Sequence, residues 1–218
     1  MGYNMDSKKA LNYYSKSFKN AIKHRGLPDI EDKCKEFSGR LAKMYESEDF
    51  AKHNVFPTID VYKVYAVIAM CLTLKQYNLE KGDIIDIVND SFRAKKQLFA
   101  KLEKVIDASP FAWNIARKWN INDHESRICD GSIIYDEFFA TDDKVAYTIS
   151  KCMYVEMFDY YGIKEYCKIF CMSDTQAYAN LTKHVDFVRY SDLSDGDSCR
   201  DVISKKTAKK SADRSTER

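Results

Sequence analysis

The chain reads as an α+β protein: a helical N-terminal half, then a small antiparallel sheet of two hairpins packed with two helices. Three observations predict this. Apolar residues recur every three or four positions through roughly the first 120 residues. Two pairs of short runs further on are rich in β-branched and aromatic residues. Between those pairs the helical period returns.

Leu11, Tyr14, Phe18 and Ile22 mark one amphipathic helix, and Ile30, Cys34, Phe37, Leu41 and Met44 a second, with the breaker Gly26-Leu27-Pro28 between them. Pro57-Thr58 is expected to open a third helix that runs through Leu74. From Asp83 to Ile106, residues Ile84, Ile87, Val88, Phe92, Leu98, Phe99, Leu102 and Val105 predict one broad apolar face turned to the core. Ser109-Pro110 has the order of a cap followed by a first-turn proline, predicting a short helix over Phe111–Trp119.

The period then changes. Ser132–Ala140 and Lys144–Lys151 read as strands, and Thr141-Asp142-Asp143 between them has hairpin length. Val185–Ser191 and Ser198–Ser204 form a second strand pair around Asp195-Gly196, expected to be a tight turn with positive φ. Helices are expected from about 152 to 180. The whole is expected to be one domain over 1–204, helical over 1–120 and carrying the sheet and site helices over 130–204. The polar, basic tail 205–218 cannot offset the entropy of ordering itself.

Composition narrows the function. Lysine and arginine number 35 against 33 aspartates and glutamates, a net charge of +2 with the basic residues scattered, which argues against a nucleic-acid partner. The longest apolar run, Val64–Leu74, falls short of the roughly 20 residues needed to cross a membrane. The first residues lack the apolar core of an export signal, so a cytoplasmic location is expected. In that reducing setting, seven irregularly spaced cysteines are expected to be free, catalytic or metal-binding rather than paired in disulfides.

Thiols and carboxylates crowd together between Cys152 and Asp174. Cys152 and Glu156 are four apart, on one face if a helix begins where the first hairpin ends, and a helix N-terminus favours the thiolate. Cys167, Cys171, Asp174 and Tyr178 step by four, three and four, predicting one helical stripe of polarizable and acidic side chains. Cys199 would enter the last strand. Each cysteine could equally be a small core residue. His24, His53, His124 and His184 are dispersed and form no zinc-helix motif.

Taken together, Cys152 with Tyr154 and Glu156, then Gly162, Phe170-Cys171 with Asp174, Phe187-Val188-Arg189, and Gly196 with Cys199 resemble the L-2-amino-thiazoline-4-carboxylic acid hydrolase family. The resemblance is strong over about 50 residues. Two departures stand out: Met153 where members often carry proline, and Arg200 where members often carry aspartate. The second leaves Asp201 one position late, on the opposite strand face from a residue at 200, so Asp201 is not expected in the site. The same pattern also resembles small-molecule-binding vinyl-reductase-type domains, which supplies a non-catalytic alternative.

The resemblance implies addition of water to the ring carbon of a small-molecule cyclic amidine, opening a 2-aminothiazoline acid to a carbamoyl-cysteine. On that footing Cys171 is the expected nucleophile, Asp174 or Glu156 the acid, and Cys152 an assisting thiol. Arg189 would hold the substrate carboxylate, with Cys199 and Tyr154 lining the pocket. No cofactor is expected. The alternative is zinc held by Cys152, Cys171 and Cys199 with Glu156 or Asp174.

Overall fold

The computed structural model describes residues 6–206. Its elements in chain order are α1 (Ser7–His24), α2 (Ile30–Tyr45), α3 (Glu48–His53), α4 (Val61–Lys75), α5 (Lys81–Asp90), α6 (Arg93–Asp107), α7 (Ala112–Asp130), β1 (Ile133–Ala140), β2 (Lys144–Cys152), α8 (Met153–Tyr160), a 3₁₀ turn (Lys164–Cys167), α9 (Lys168–Tyr178), β3 (Val185–Ser191) and β4 (Cys199–Lys205). This is the expected α+β arrangement. Contacts group the chain into two compact units whose segments interleave along it. Among the described residues, one comprises 6–95, 130–132 and 153–169; the other comprises 96–129, 133–152 and 170–206.

The first unit is helical. Asp6 accepts from Lys9 N at 2.8 Å to start α1, and Ser47 and Asp60 do the same for α3 and α4. Tyr14, Phe18 and Ile22 of α1 are buried, and the Phe18 and Phe37 rings pack with centroids 4.6 Å apart. At the end of α1, Gly26 takes φ +67°, so that Leu27 N reaches Ile22 O and Gly26 N reaches Lys23 O, both at 3.1 Å. That closure needs a left-handed residue. α4 is buried nearly all round, which is what its unbroken apolar run required. Among the described residues no helix is long and apolar enough to cross a membrane.

Two expectations for this part of the chain are corrected. Pro57-Thr58 does not open a helix: Thr58 N and Oγ1 instead donate to Asp130 Oδ2, and α4 starts at Val61 under the Asp60 cap. The six-residue α3 was not foreseen. The long face from Asp83 to Ile106 is broken at Ser91-Phe92, and on α6 the side chains of Leu98, Phe99, Leu102 and Val105 are exposed rather than turned to the core.

The second unit holds the sheet, in the order β1-β2-β4-β3 with every neighbour antiparallel. Its core gathers Trp113, Ala116, Val145, Tyr178, Leu181, Val185 and Ile203. α7 is longer than the short helix expected, and it clamps the first hairpin. Trp113 Nε1 donates to Asp142 O at 2.6 Å and Arg117 Nε to Thr141 O at 2.5 Å. The expected tight turn at Asp195-Gly196 is corrected. Seven residues, 192–198, join β3 to β4, and Gly196 does not have positive φ. Asp192 organises this loop by accepting from Ser194 N at 3.0 Å and from Ser194 Oγ, while Gly196 N donates to Asp192 O at 3.0 Å. A Cβ at Gly196 would lie 3.1 Å from that same oxygen, so close approach explains the glycine. Of the expected tail, Lys205 closes β4 and Lys206 N donates to His184 O; residues 207–218 lie outside the described residues.

Gly26→Ala meets no neighbour within 4 Å, so its cost is the left-handed backbone alone. The expected outcome is a loss of about 1 kcal/mol in stability, read as a lower denaturant midpoint with an unchanged m-value.

Candidate active site

The register of the sheet unit builds a row of three side chains. Tyr147 on β2 pairs with Asp201 on β4, and Asp201 pairs with Arg189 on β3. Directly opposed residues in antiparallel strands share a face, so the row points to one side. A register irregularity between Arg189 and Ser191 bends β3 beside it.

Asp201 is 0% exposed. Arg189 grips it side-on, Nε to Oδ1 at 2.8 Å and Nη2 to Oδ2 at 2.6 Å. Tyr147 OH donates to Oδ2 at 2.9 Å, and the Cys199 thiol lies 3.9 Å from the same oxygen. Burial and the neighbouring Asp201 charge push both the Tyr147 hydroxyl and the Cys199 thiol well above their ordinary ranges, so both keep their protons.

α9 closes over this row. Arg189 Nη1 donates to the backbone oxygen of Cys171 at 2.5 Å, and Nη2 also reaches Asp174 Oδ2 at 3.1 Å. A guanidinium carries five N–H donors, and these bonds commit all but one Nη1 hydrogen to protein acceptors. Desolvation pulls Arg189 toward losing its proton, but the bonds and charge of Asp201 outweigh it, and the guanidinium is held firmly charged. Asp174 differs from Asp201: its side chain is 52% exposed. Desolvation by the surrounding protein still raises its carboxyl above the usual range, against the lowering pull of Arg189, and the Asp201 charge adds to the rise. One side of the carboxyl is open to solvent and the other rests against Arg189.

Aromatic rings frame the row. Tyr178 stacks on Phe187 at 4.6 Å between centroids, and Asn120 Nδ2 donates to Tyr178 OH at 2.6 Å. Tyr135 stands 5.9 Å from Tyr147, and His124 stacks on Phe138 at 3.5 Å, where burial lowers the imidazole's affinity for a proton.

Of the residues singled out from sequence, Cys171, Asp174, Arg189 and Cys199 come together around Asp201. Cys152 is the last residue of β2, opposite Ile133, and its charge would be felt by Tyr135. α8 begins at the next residue, as expected of a helix starting where the first hairpin ends, and carries Glu156 in its first turn. Tyr154 and Glu156 lie on α8 in the helical unit. The single stripe from Cys167 to Tyr178 is also corrected. Cys167 ends the 3₁₀ turn, buried in the helical unit, and only Cys171, Asp174 and Tyr178 share the α9 face.

Asp201, set aside by the sequence reading, is central. The one-residue offset does place it on the other face from position 200, and that face is the inner one it shares with Cys199 and Ile203. The i, i+2 spacing from Cys199 was the signal that could have found it. Among the described residues no group of three or more His, Cys, Asp or Glu side chains is placed to hold a metal ion.

Removing one partner of a buried pair strands the other charge. Asp201→Ala is expected to lower stability by about 3–5 kcal/mol in chemical denaturation. Tyr147→Phe, which leaves the ion pair intact, should cost about 1 kcal/mol.

Residues 62–202 match the family described as L-2-amino-thiazoline-4-carboxylic acid hydrolase. The matched span runs from α4 into β4 and includes Cys152, Cys171, Asp174, Arg189, Cys199 and Asp201. No curated protein and no solved structure matches the chain.

Proposed function

The chain belongs to the L-2-amino-thiazoline-4-carboxylic acid hydrolase family, and on that footing we propose that it hydrolyses a cyclic amidine of the thiazoline type, with Cys171 as nucleophile and Asp174 as acid. The observation that carries this reading is the state of Asp174. Its carboxyl is half open, raised above the ordinary carboxylate range, and three residues from Cys171 on one helix. Residues three apart are neighbours on a helix surface, and a carboxyl raised above its ordinary range is better matched to giving up a proton.

The steps balance as follows. The Cys171 thiolate adds to the amidine carbon, and the bond from that carbon to the ring sulfur breaks as Asp174 protonates the sulfur. The Asp174 carboxylate then takes a proton from water, whose oxygen adds to the same carbon and expels Cys171 as thiolate. The product is a carbamoyl-cysteine, and both residues return to their starting states. Cys171 suits the nucleophile's role better than Cys199, whose thiol is buried against Asp201 and held protonated. Asp174 suits the acid's role because it shares the α9 face with Cys171 and has a carboxyl open on one side. Arg189 was expected to grip the substrate carboxylate. With all but one of its donors committed to Asp201, Asp174 and Cys171 O, it is better suited to position Asp174 against the α9 backbone.

Incubation with L-2-amino-thiazoline-4-carboxylate should yield a product heavier by one water, detected by mass spectrometry. Cys171→Ser should lower kcat by roughly 10³-fold or more, and Asp174→Asn by about 10²–10⁴-fold, both with the fold retained by circular dichroism. Because the first step needs Asp174 protonated and Cys171 deprotonated at once, kcat/KM should pass through a bell-shaped optimum with pH, and the limb that belongs to Asp174 should vanish in Asp174→Asn. Unchanged substrate with wild-type protein, or full activity in Cys171→Ser, contradicts the proposal. Binding without turnover would favour the non-catalytic alternative.

A further inference from the structure

From Lys96 onward α6 belongs to the sheet unit, and the spacing of Leu98, Leu102 and Val105 promises a stripe buried against it. The opposite is found. The side turned to the rest of the unit is polar: Lys96 Nζ donates to Gln176 Oε1 at 3.0 Å, Asn180 Nδ2 to Glu103 Oε2 at 2.8 Å, and Lys183 N to Oδ1 of the buried Asp107 at 3.0 Å. Ile106 adds an apolar contact at the edge of the core. Leu98, Leu102 and Val105 lie on the other side of the helix and are exposed.

The exposed apolar side chains continue past the turn into α7, as Phe111, Ile115 and Trp119 at steps of four. Both helices rest on the end of α9. Gln176 and Asn180 hold α6, and the Trp119 ring of α7 stacks on Tyr178 at 6.4 Å between centroids. Single exposed leucines are ordinary on a protein surface, but six large apolar side chains along two consecutive helices mark a docking surface.

Charge narrows what covers it. Between Lys96 and Trp119 the chain has two acidic residues, Glu103 and Asp107, and both are turned inward to the bonds just given. Lys101, Lys104 and Lys118 are exposed, and Lys101 lies one turn from both Leu98 and Val105, so positive charge borders the apolar stripe. A second copy docking by this patch would set the same lysines near one another. The form of the surface narrows it further. Leu98 and Val105 are 68% and 69% exposed, so they stand out from the helix rather than line a groove. A protein partner must supply a fitted pocket for each protruding side chain, whereas the acyl boundary of a bilayer takes them in any arrangement.

We infer that the exposed face of α6, with the apolar side chains at the start of α7, docks on an anionic lipid surface. Leu98, Leu102, Val105 and Trp119 enter the boundary between headgroups and acyl chains, and Lys101, Lys104 and Lys118 meet the lipid charge. Apolar side chains bordered by lysine, with a tryptophan beside them, are what helices lying in a membrane interface carry. Such docking needs no spanning segment, and it is independent of the hydrolytic reading.

Co-sedimentation of the full chain with vesicles tests this, using phosphatidylcholine alone and phosphatidylcholine mixed with phosphatidylglycerol. Binding to the mixed vesicles should be at least about tenfold tighter at low salt and should weaken as salt rises. Leu98→Gln combined with Leu102→Gln should bind them at least about tenfold more weakly, and so should Lys101→Gln combined with Lys104→Gln. All four side chains are exposed, so thermal midpoints should stay near wild type. Tryptophan emission should shift to the blue on the mixed vesicles and the shift should be lost in Trp119→Phe, since Trp113 is already buried. Equal binding to both lipid compositions, or undiminished binding by the leucine pair, would overturn the inference. Absence of binding to the mixed vesicles would also overturn it, in favour of an acidic protein partner. Self-association without lipid that the leucine pair abolishes would overturn it in favour of a second copy.

Discussion

Arg189 and Asp201 form a side-on ion pair in the interior of the sheet unit, with Asp201 fully buried and Arg189 13% exposed. Taking two charges out of water is expensive, and the bidentate geometry, with Tyr147 OH on the remaining lone pairs, is what makes it tolerable. The pair is possible only because the register sets Tyr147, Asp201 and Arg189 opposite one another across three strands. A slip of one residue in β4 would turn Arg200 inward and leave the pair unmade.

The rest of the site follows from one guanidinium meeting two carboxyl groups. Asp201 takes the paired face of Arg189. Asp174 is left with a single shared Nη2 hydrogen bond, in surroundings that disfavour its charge. Burial, with the same Asp201 charge behind it, raises the Cys199 thiol well above its ordinary range. Two acids and two thiols close to one another in the fold thus sit in different electrostatic surroundings, set by burial and by which acid takes the paired face of the arginine. The third arm of Arg189, on Cys171 O, ties α9 to the sheet and fixes the helix that carries both proposed reacting groups.

The strands were legible in the sequence because Val145, Tyr147 and Ile149 alternate against polar neighbours and short polar breaks separate the runs. The first two helices were legible from their apolar spacing. Part of the candidate site was legible too: the step of three from Cys171 to Asp174 puts both on one face of α9, and the strand pattern carries Arg189 and Cys199 beside them. What stayed hidden depended on tertiary detail. Whether an apolar stripe is covered cannot be read from its period, and Leu98, Phe99, Leu102 and Val105 form such a stripe yet stand exposed. A 3₁₀ turn looks like α-helix at four-residue spacing, which joined Cys167 to Cys171 on paper. Asp201 was discounted by comparison with position 200 rather than with Cys199, although alternation alone puts Asp201 and Cys199 on one face.

The central claim is that Asp201 takes the paired face of Arg189 and leaves the Asp174 carboxyl above its ordinary range. The most direct test is a ¹³C NMR titration of the aspartate carboxyl carbons, with the Asp174 resonance assigned by its loss in Asp174→Asn. The account predicts a midpoint for Asp174 clearly above the ordinary aspartate value of about 3.9, moving downward when Asp201 is replaced by Asn. A midpoint at or below the ordinary value in the wild-type protein would contradict it.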